Sequence, residues 1–168
     1  MFATSLVLLA LAATGLAQEA PEGYRTVYMT SMVDPQYVIQ PVSAEAGSAL
    51  VVQVLANTPE QQWYLQAGTT LIQLAGTTLC MDGGPESNWA DMAPINLAEC
   101  DETSRSQIFN VMDDGRIALE ASTSPQECID LQFMRAVPDN PVGFYDCAGL
   151  GGIGAEDAGL NWPLVDVE

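Results

Sequence analysis

The chain has 168 residues, of which 22 are Asp or Glu, only four are basic and none is histidine, so the formal net charge is -18. The absence of histidine excludes Ser-His and Cys-His catalysis and removes the commonest metal ligand. A charge of this sign disfavours nucleic acid and anionic membrane as partners and reads as a solvated surface.

In chain order, the first feature is an apolar run from Leu6 to Leu16 ending in the small residues around Ala17. It is too short to span a bilayer, so residues 1–17 are predicted to be a cleaved signal peptide and the protein to be secreted. Residues 18–36 are predicted as a tail, loose over Gln18–Gly23, and a first strand, with one folded domain over residues 37–168. Short apolar or alternating runs then recur at Tyr37–Ile39, Leu50–Leu55, Trp63–Leu65, Leu71–Leu74, Ile95–Leu97, Ile108–Met112, Ile117–Leu119 and Gly143–Tyr145. Turn formers separate them, including Ala67-Gly68, Gly83-Gly84-Pro85, Asp113-Asp114-Gly115 and Pro138–Pro141. Short strands at regular spacing predict an all-β barrel or sandwich. Asp113-Gly115 reads as a hairpin turn rather than a metal loop, because Asp-Gly supplies the required backbone angles.

Superimposed on this spacing is a repeat. Cys80-Met81-Asp82 returns 48 residues later as Cys128-Ile129-Asp130, and each is followed by a second cysteine, Cys100 and Cys147. A Gln-x-aromatic pattern stands at Gln61–Trp63 and Gln107–Phe109, and in a degraded form at Leu160–Trp162. Three copies of about 47 residues therefore fill the chain. Aligned on the aromatic, the first copy puts Gln40 in the slot of the two aspartates and Val52 opposite Ala98 and Tyr145. Leu150–Gly159, rich in glycine, reads as an insertion in the third copy. Four cysteines allow three connectivities, and only Cys80–Cys100 with Cys128–Cys147 is the same in both copies. In a secreted chain an even cysteine count favours disulfides, each worth on the order of 3 kcal/mol.

The Cys-x-Asp start, the Leu97–Cys100 strand and the Gln-x-Trp end resemble the repeats of ricin-B-type lectins. Tyr145-Asp146-Cys147-Ala148-Gly149 is similar to the Tyr-Asp-Cys-x-Gly run of xylan- and galactose-binding members. The resemblance implies a β-trefoil of three pseudo-symmetric repeats that binds glycans, without a cofactor, a metal or catalysis. It implies that Asp130 is the carboxylate and Tyr145 the aromatic platform of a third-copy site, where Gly159 and Leu160 replace the usual Asn-Gln pair and Asn161 or the neighbouring insertion is the candidate for the substitute amide. In the second copy Asp82 and Gln107 match, Ala98 stands at the platform position, and Trp89 is the candidate substitute platform. The first copy is expected to be structural. Carboxylates such as Asp82, Glu86, Asp91 and Glu99 are no more than chance spacing among 22 acids would give, so no glycosidase pair is read. The alternative is a trefoil protease inhibitor acting through an exposed loop, for which Leu150–Gly159 is the candidate.

Non-reducing peptide mapping should recover Cys80–Cys100 and Cys128–Cys147 peptides and no free thiol. A Cys100–Cys128 peptide would refute the repeat alignment.

Overall fold

The alternating apolar segments form thirteen short strands in the computed structural model, which describes residues 20–168. The expected signal segment lies outside these residues. In order the strands are β1 (Arg25–Met29), β2 (Tyr37–Pro41), β3 (Leu50–Val54), β4 (Trp63–Leu65), β5 (Gly68–Thr70), β6 (Gln73–Leu74), β7 (Leu79–Asp82), β8 (Asn96–Glu99), β9 (Phe109–Val111), β10 (Ile117–Leu119), β11 (Glu127–Leu131), β12 (Asn140–Asp146) and β13 (Leu164–Asp166). Among the described residues the only helical elements are single 3-10 turns. Two curled sheets result, ordered β13-β1-β4-β6-β7-β8 and β2-β3-β12-β11-β10-β9-β5. All pairings between strands are antiparallel.

Three of the hairpins are equivalent: β2-β3, β7-β8 and β11-β12. Their registers match, with Ile39 opposite Val52, Met81 opposite Leu97 and Ile129 opposite Phe144, and all six side chains are buried. The hairpins join in a ring. The first meets the second at Ala49 and Asn96, the second meets the third at Pro94 and Gly143, and the third returns to the first through Asn140–Pro141 against Val51–Val52. Inside the ring lie Trp63, Phe109 and Trp162, at most 1% exposed. Trp63 Nε1 donates to Ile39 O (3.0 Å) and Trp162 Nε1 to Ile129 O (2.9 Å), the same contact in copies one and three. A buried indole N–H needs such a partner, and the phenyl ring of Phe109 needs none.

The alignment of the first copy requires one correction. The register sets Gln53 opposite Val38, as Ala98 is opposite Cys80 and Tyr145 opposite Cys128, so Gln53 and not Val52 holds the platform slot. Counting back from the aromatic carried a one-residue difference in loop length into the strand, and a one-residue slip exchanges the faces of a strand. Val52 faces the core at 0% exposure.

Both disulfides take the repeat-matched pairing, with Cα–Cα separations of 4.9 and 5.0 Å, and no cysteine is free. Each links a paired cysteine of the hairpin's first strand, Cys80 or Cys128, to one just beyond the last paired residue of the second, Cys100 or Cys147. Strand β1 carries neither motif, yet it lies between β4 and β13 with Val27 and Met29 fully buried. The Asp113–Gly115 turn joins β9 to β10, and Gly115 supplies a φ of 91°.

Because Trp162 fills the centre and closes the third repeat, Trp162→Ala should lose about 3–5 kcal/mol. Urea unfolding followed by far-UV circular dichroism measures it. A variant that unfolds like the parent would show that the degraded third motif does not close the barrel.

Candidate functional site

In the first two repeats the residue in the last slot of the Cys-x-Asp motif meets the Gln of the Gln-x-aromatic motif, and the third repeat departs from this. In the first, the Gln61 amide donates to Gln40 Oε1 (2.9 Å) and Val54 O (2.9 Å) while its oxygen accepts from Ala56 N (2.8 Å). In the second, Gln107 donates to Asp82 Oδ2 (2.8 Å) and Glu99 O (3.0 Å) and accepts from Asp101 N (2.8 Å). Asp82 Oδ1 also accepts from Gly84 N at 2.6 Å, so both of its oxygens are occupied within the protein.

The third copy breaks the pattern. Leu160 replaces the Gln and packs, fully buried, with Ala118 and the Cys128–Cys147 disulfide beneath Tyr145. Asp130 thereby loses its amide partner. It is only 7% exposed, and among the described residues no donor reaches its carboxylate. Burial, reinforced by the charges of Asp157 and Asp91, pushes its pKa up to about 7. Gly159, in place of the polar residue of the other copies, makes room for it. A Cβ there would lie 2.8 Å from Asp130 Oδ1 and 3.3 Å from Asp157 Oδ1.

Asp130 opens into a cleft of about 360 Å³. Tyr145, half-buried on β12, forms one wall, as its place opposite Cys128 dictates. Asp157 contributes a second carboxylate, held by the N–H groups of Gly159 (2.9 Å) and Leu150 (3.5 Å). The remaining wall is apolar: Met92, Phe133, Met134 and Leu150, exposed by 39, 71, 47 and 58%. Three of these four, Met92, Phe133 and Met134, have positive φ of 69°, 59° and 49°. Left-handed backbone at a non-glycine residue costs on the order of 1–3 kcal/mol, and such strain collects at ligand sites. Phe133 recovers nothing by burial, so packing does not explain its conformation.

Three loops build this wall: the loop carrying Met92, the turn carrying Phe133 and Met134 between β11 and β12, and the Leu150–Gly159 insertion. The loop carrying Met92 is clipped to β12, with Met92 N donating to Phe144 O (2.8 Å) and Phe144 N to Ala93 O (2.9 Å). Only glycine fits at position 143 beneath it, since a Cβ would come within 2.5 Å of Ala93 O. The Leu150–Gly159 insertion folds back on the closing cysteine, where Gly154 passes too close to Cys147 O to carry any side chain.

The other predicted residues stand elsewhere. Asn161 is 1% exposed and donates to the carbonyls of Asp157 (2.8 Å), Ala155 (3.3 Å) and Gly154 (3.4 Å), tying the insertion down instead of lining the cleft. Trp89 is half-buried against the core with its Nε1 donating to Gly84 O (3.1 Å), and it borders a separate shallow cleft with Glu86 and residues 121–125. Asp82 and Gln107 hold each other. Asp130 and Tyr145 alone of the six share the third-copy cleft. The sequence reading missed Phe133, Met134, Met92 and Asp157. The adjacent Phe133-Met134 pair, in a turn where the second copy has Pro85-Glu86, was the available signal.

No protein-family model matches the chain, and no curated protein matches it by sequence. Solved structures do match. A designed threefold-symmetric protein, ThreeFoil, superposes with a TM-score of 0.70 at 17% identity over 84% of this chain and 99% of that one. The C-half of an earthworm R-type lectin, solved with GalNAc, gives 0.65 at 13% identity over 85 and 99%. The β-trefoil lectin of Vibrio vulnificus hemolysin, solved with N-acetyl-D-lactosamine, gives 0.63 at 9% over 88 and 98%. The fold is a β-trefoil.

Within the trefoil a second carboxylate is strained electrostatically. Glu127, 1% exposed and with neither oxygen hydrogen-bonded, is pushed up to about 7 by burial and by the charges of Asp91 and Asp146. Glu127 and Asp130 thus hold protons in the folded state that the unfolded chain gives up near pH 4. Their contribution to folding stability is fully present below that range, is lost as pH rises through about 7, and changes no further above it. The slope is about 1.4 kcal/mol per pH unit for each proton so held. Urea unfolding between pH 5 and 8 should show the decline, and Glu127→Gln with Asp130→Asn should flatten it. Stability that rises with pH, or a double variant with the parental slope, would refute these protonation states.

Proposed function

We propose that the protein is a secreted carbohydrate-binding module whose third repeat carries the site, recognising galactose- or xylose-type glycans without a metal and without catalysis. The observation that carries this reading is Asp130, a buried carboxylate with no protein partner, opening beside the Tyr145 ring into a cleft. A sugar presents a C–H face to an aromatic ring and adjacent hydroxyls to a carboxylate, so these two groups match its two surfaces. The lectin folds among the similar structures support the same reading. Asp82, Gln107, Trp89 and Asn161 serve the frame in this proposal, because the first three bond to the protein itself and Asn161, 1% exposed, gives its amide N–H groups to backbone carbonyls. A single shallow site of this kind binds near the millimolar range, about -4 kcal/mol, and gains useful strength through multivalency. The protease-inhibitor alternative draws on no comparable feature. An inhibitory loop has to lie extended in a cleft, whereas Leu150–Gly159 is coiled into two 3-10 turns.

A glycan array followed by calorimetric titration tests the proposal. Asp130→Ala deletes charge-assisted hydrogen bonds worth roughly 1.5–3 kcal/mol, a loss of about tenfold to a hundredfold. Tyr145→Ala should lose binding as well, while Gln40→Ala in the first copy and calcium chelation leave it unchanged. Circular dichroism controls for folding. A parent that binds no glycan, or two variants that bind as the parent does, would overturn the assignment.

A further inference from the structure

Among the described residues no basic side chain pairs with the two carboxylates of the third-repeat cleft. Asp130 and Asp157 are 7 and 8% exposed, and an oxygen of each lies within 3.3 Å of the position a Cβ on Gly159 would take, which puts the two oxygens no more than about 6 Å apart, near enough for one group to bridge. Asp157 is anchored by backbone N–H groups, but Asp130 has no donor, and each of the arginine ion pairs lies elsewhere, on Asp166, Glu86 and Asp114. A neutral hydroxyl would supply a hydrogen bond to Asp130 and leave the like-charge repulsion in place. An ammonium group supplies three donors and a compensating charge at once, and its hydrogen bonds to carboxylates are the stronger kind. The rest of the cleft suits the remainder of such a ligand. Tyr145 and the 71%-exposed Phe133 offer ring faces, which attract both cations and the C–H face of a pyranose. The net charge of -18 raises the local concentration of any cationic ligand.

We infer that the cleft is selective for sugars bearing a free amine, that is de-N-acetylated hexosamine units, with the ammonium seated between Asp130 and Asp157 and the ring lying on the aromatic wall. This rests on the carbohydrate-binding reading and names its ligand class. An acetylated amine loses its charge and brings an acetyl group to the carboxylates, so N-acetylhexosamines bind worse.

The test is calorimetric titration of the full mature chain, in EDTA at neutral pH, with the methyl glycosides of galactosamine, N-acetylgalactosamine and galactose. The free amine should bind at least tenfold more tightly than either of the others, and the margin should shrink with added salt. Asp130→Asn and Asp157→Asn should each reduce it to near parity. Both are isosteric, Asp130→Asn removes a buried charge, and Asp157→Asn keeps an acceptor for Gly159 N–H, so folded protein is available for both. Glu102→Gln, an exposed acid in the second copy, should keep the full preference, which separates the cleft from the general charge. Galactoside binding with no gain from the amine overturns this inference and leaves the lectin reading intact. A preference that survives both cleft variants, or is lost in Glu102→Gln, also overturns it, and absence of binding by all three sugars removes both.

Discussion

The glutamine amide that ties the end of the first and second repeats to their opening strands is the constraint on which the rest of the structure turns. It joins two chain segments about 20 residues apart and satisfies three polar groups with one side chain, so the irregular loop between them keeps its backbone groups paired. With Gln61 and Gln107 in place, the slot residue beside them has a hydrogen-bond partner, whether it is Gln40 or Asp82. With Leu160 in the third position, the apolar side chain instead packs against a disulfide, and the barrel still closes because Trp162 reaches Ile129 O as Trp63 reaches Ile39 O.

The cost of that replacement falls on Asp130, and the surrounding chain is arranged so as to keep the cost. Gly159 opens space beside the carboxylate, Asp157 adds a second one, and Phe133 and Met134 take left-handed backbone conformations to stand as an exposed apolar wall. Each of these features destabilises the fold when taken alone. They coincide at one cleft and nowhere else among the described residues, which is the pattern expected when stability is traded for a binding surface. In the proposed reading, two repeats serve as scaffold and one as site.

Much of the fold was legible because the signals are periodic. The two Cys-x-Asp motifs, the Gln-x-aromatic spacing and the alternation of strands such as Ile117–Leu119 place the hairpins, the disulfides and the central aromatics without reference to a structure. Asp130 and Tyr145 were legible for the same reason, since each occupies a slot that another copy defines. What lacks a counterpart in the other copies was not legible. Phe133 and Met134 stand where the second repeat has a proline turn, Met92 arrives on a loop from the neighbouring repeat, and Asp157 belongs to the insertion. Asn161 was assigned to the sugar by its sequence neighbourhood, yet the insertion leaves its own carbonyls in need of a donor, and Asn161 is the side chain that meets them. The slot of Gln53 was missed because register in a sheet is fixed by pairing across strands, and a loop one residue shorter displaces any count along the chain.

The central claim is that the missing amide leaves Asp130 an unpaired buried carboxylate, and carbon-detected NMR titration of that carboxyl in the parent and in Leu160→Gln tests it most directly. The account predicts that the parent Asp130 titrates near pH 7, and that restoring the glutamine supplies the hydrogen bond Asp82 enjoys and brings the midpoint well down toward the ordinary aspartate range. A parent Asp130 that titrates near pH 4, or one whose midpoint ignores the restored amide, would contradict it.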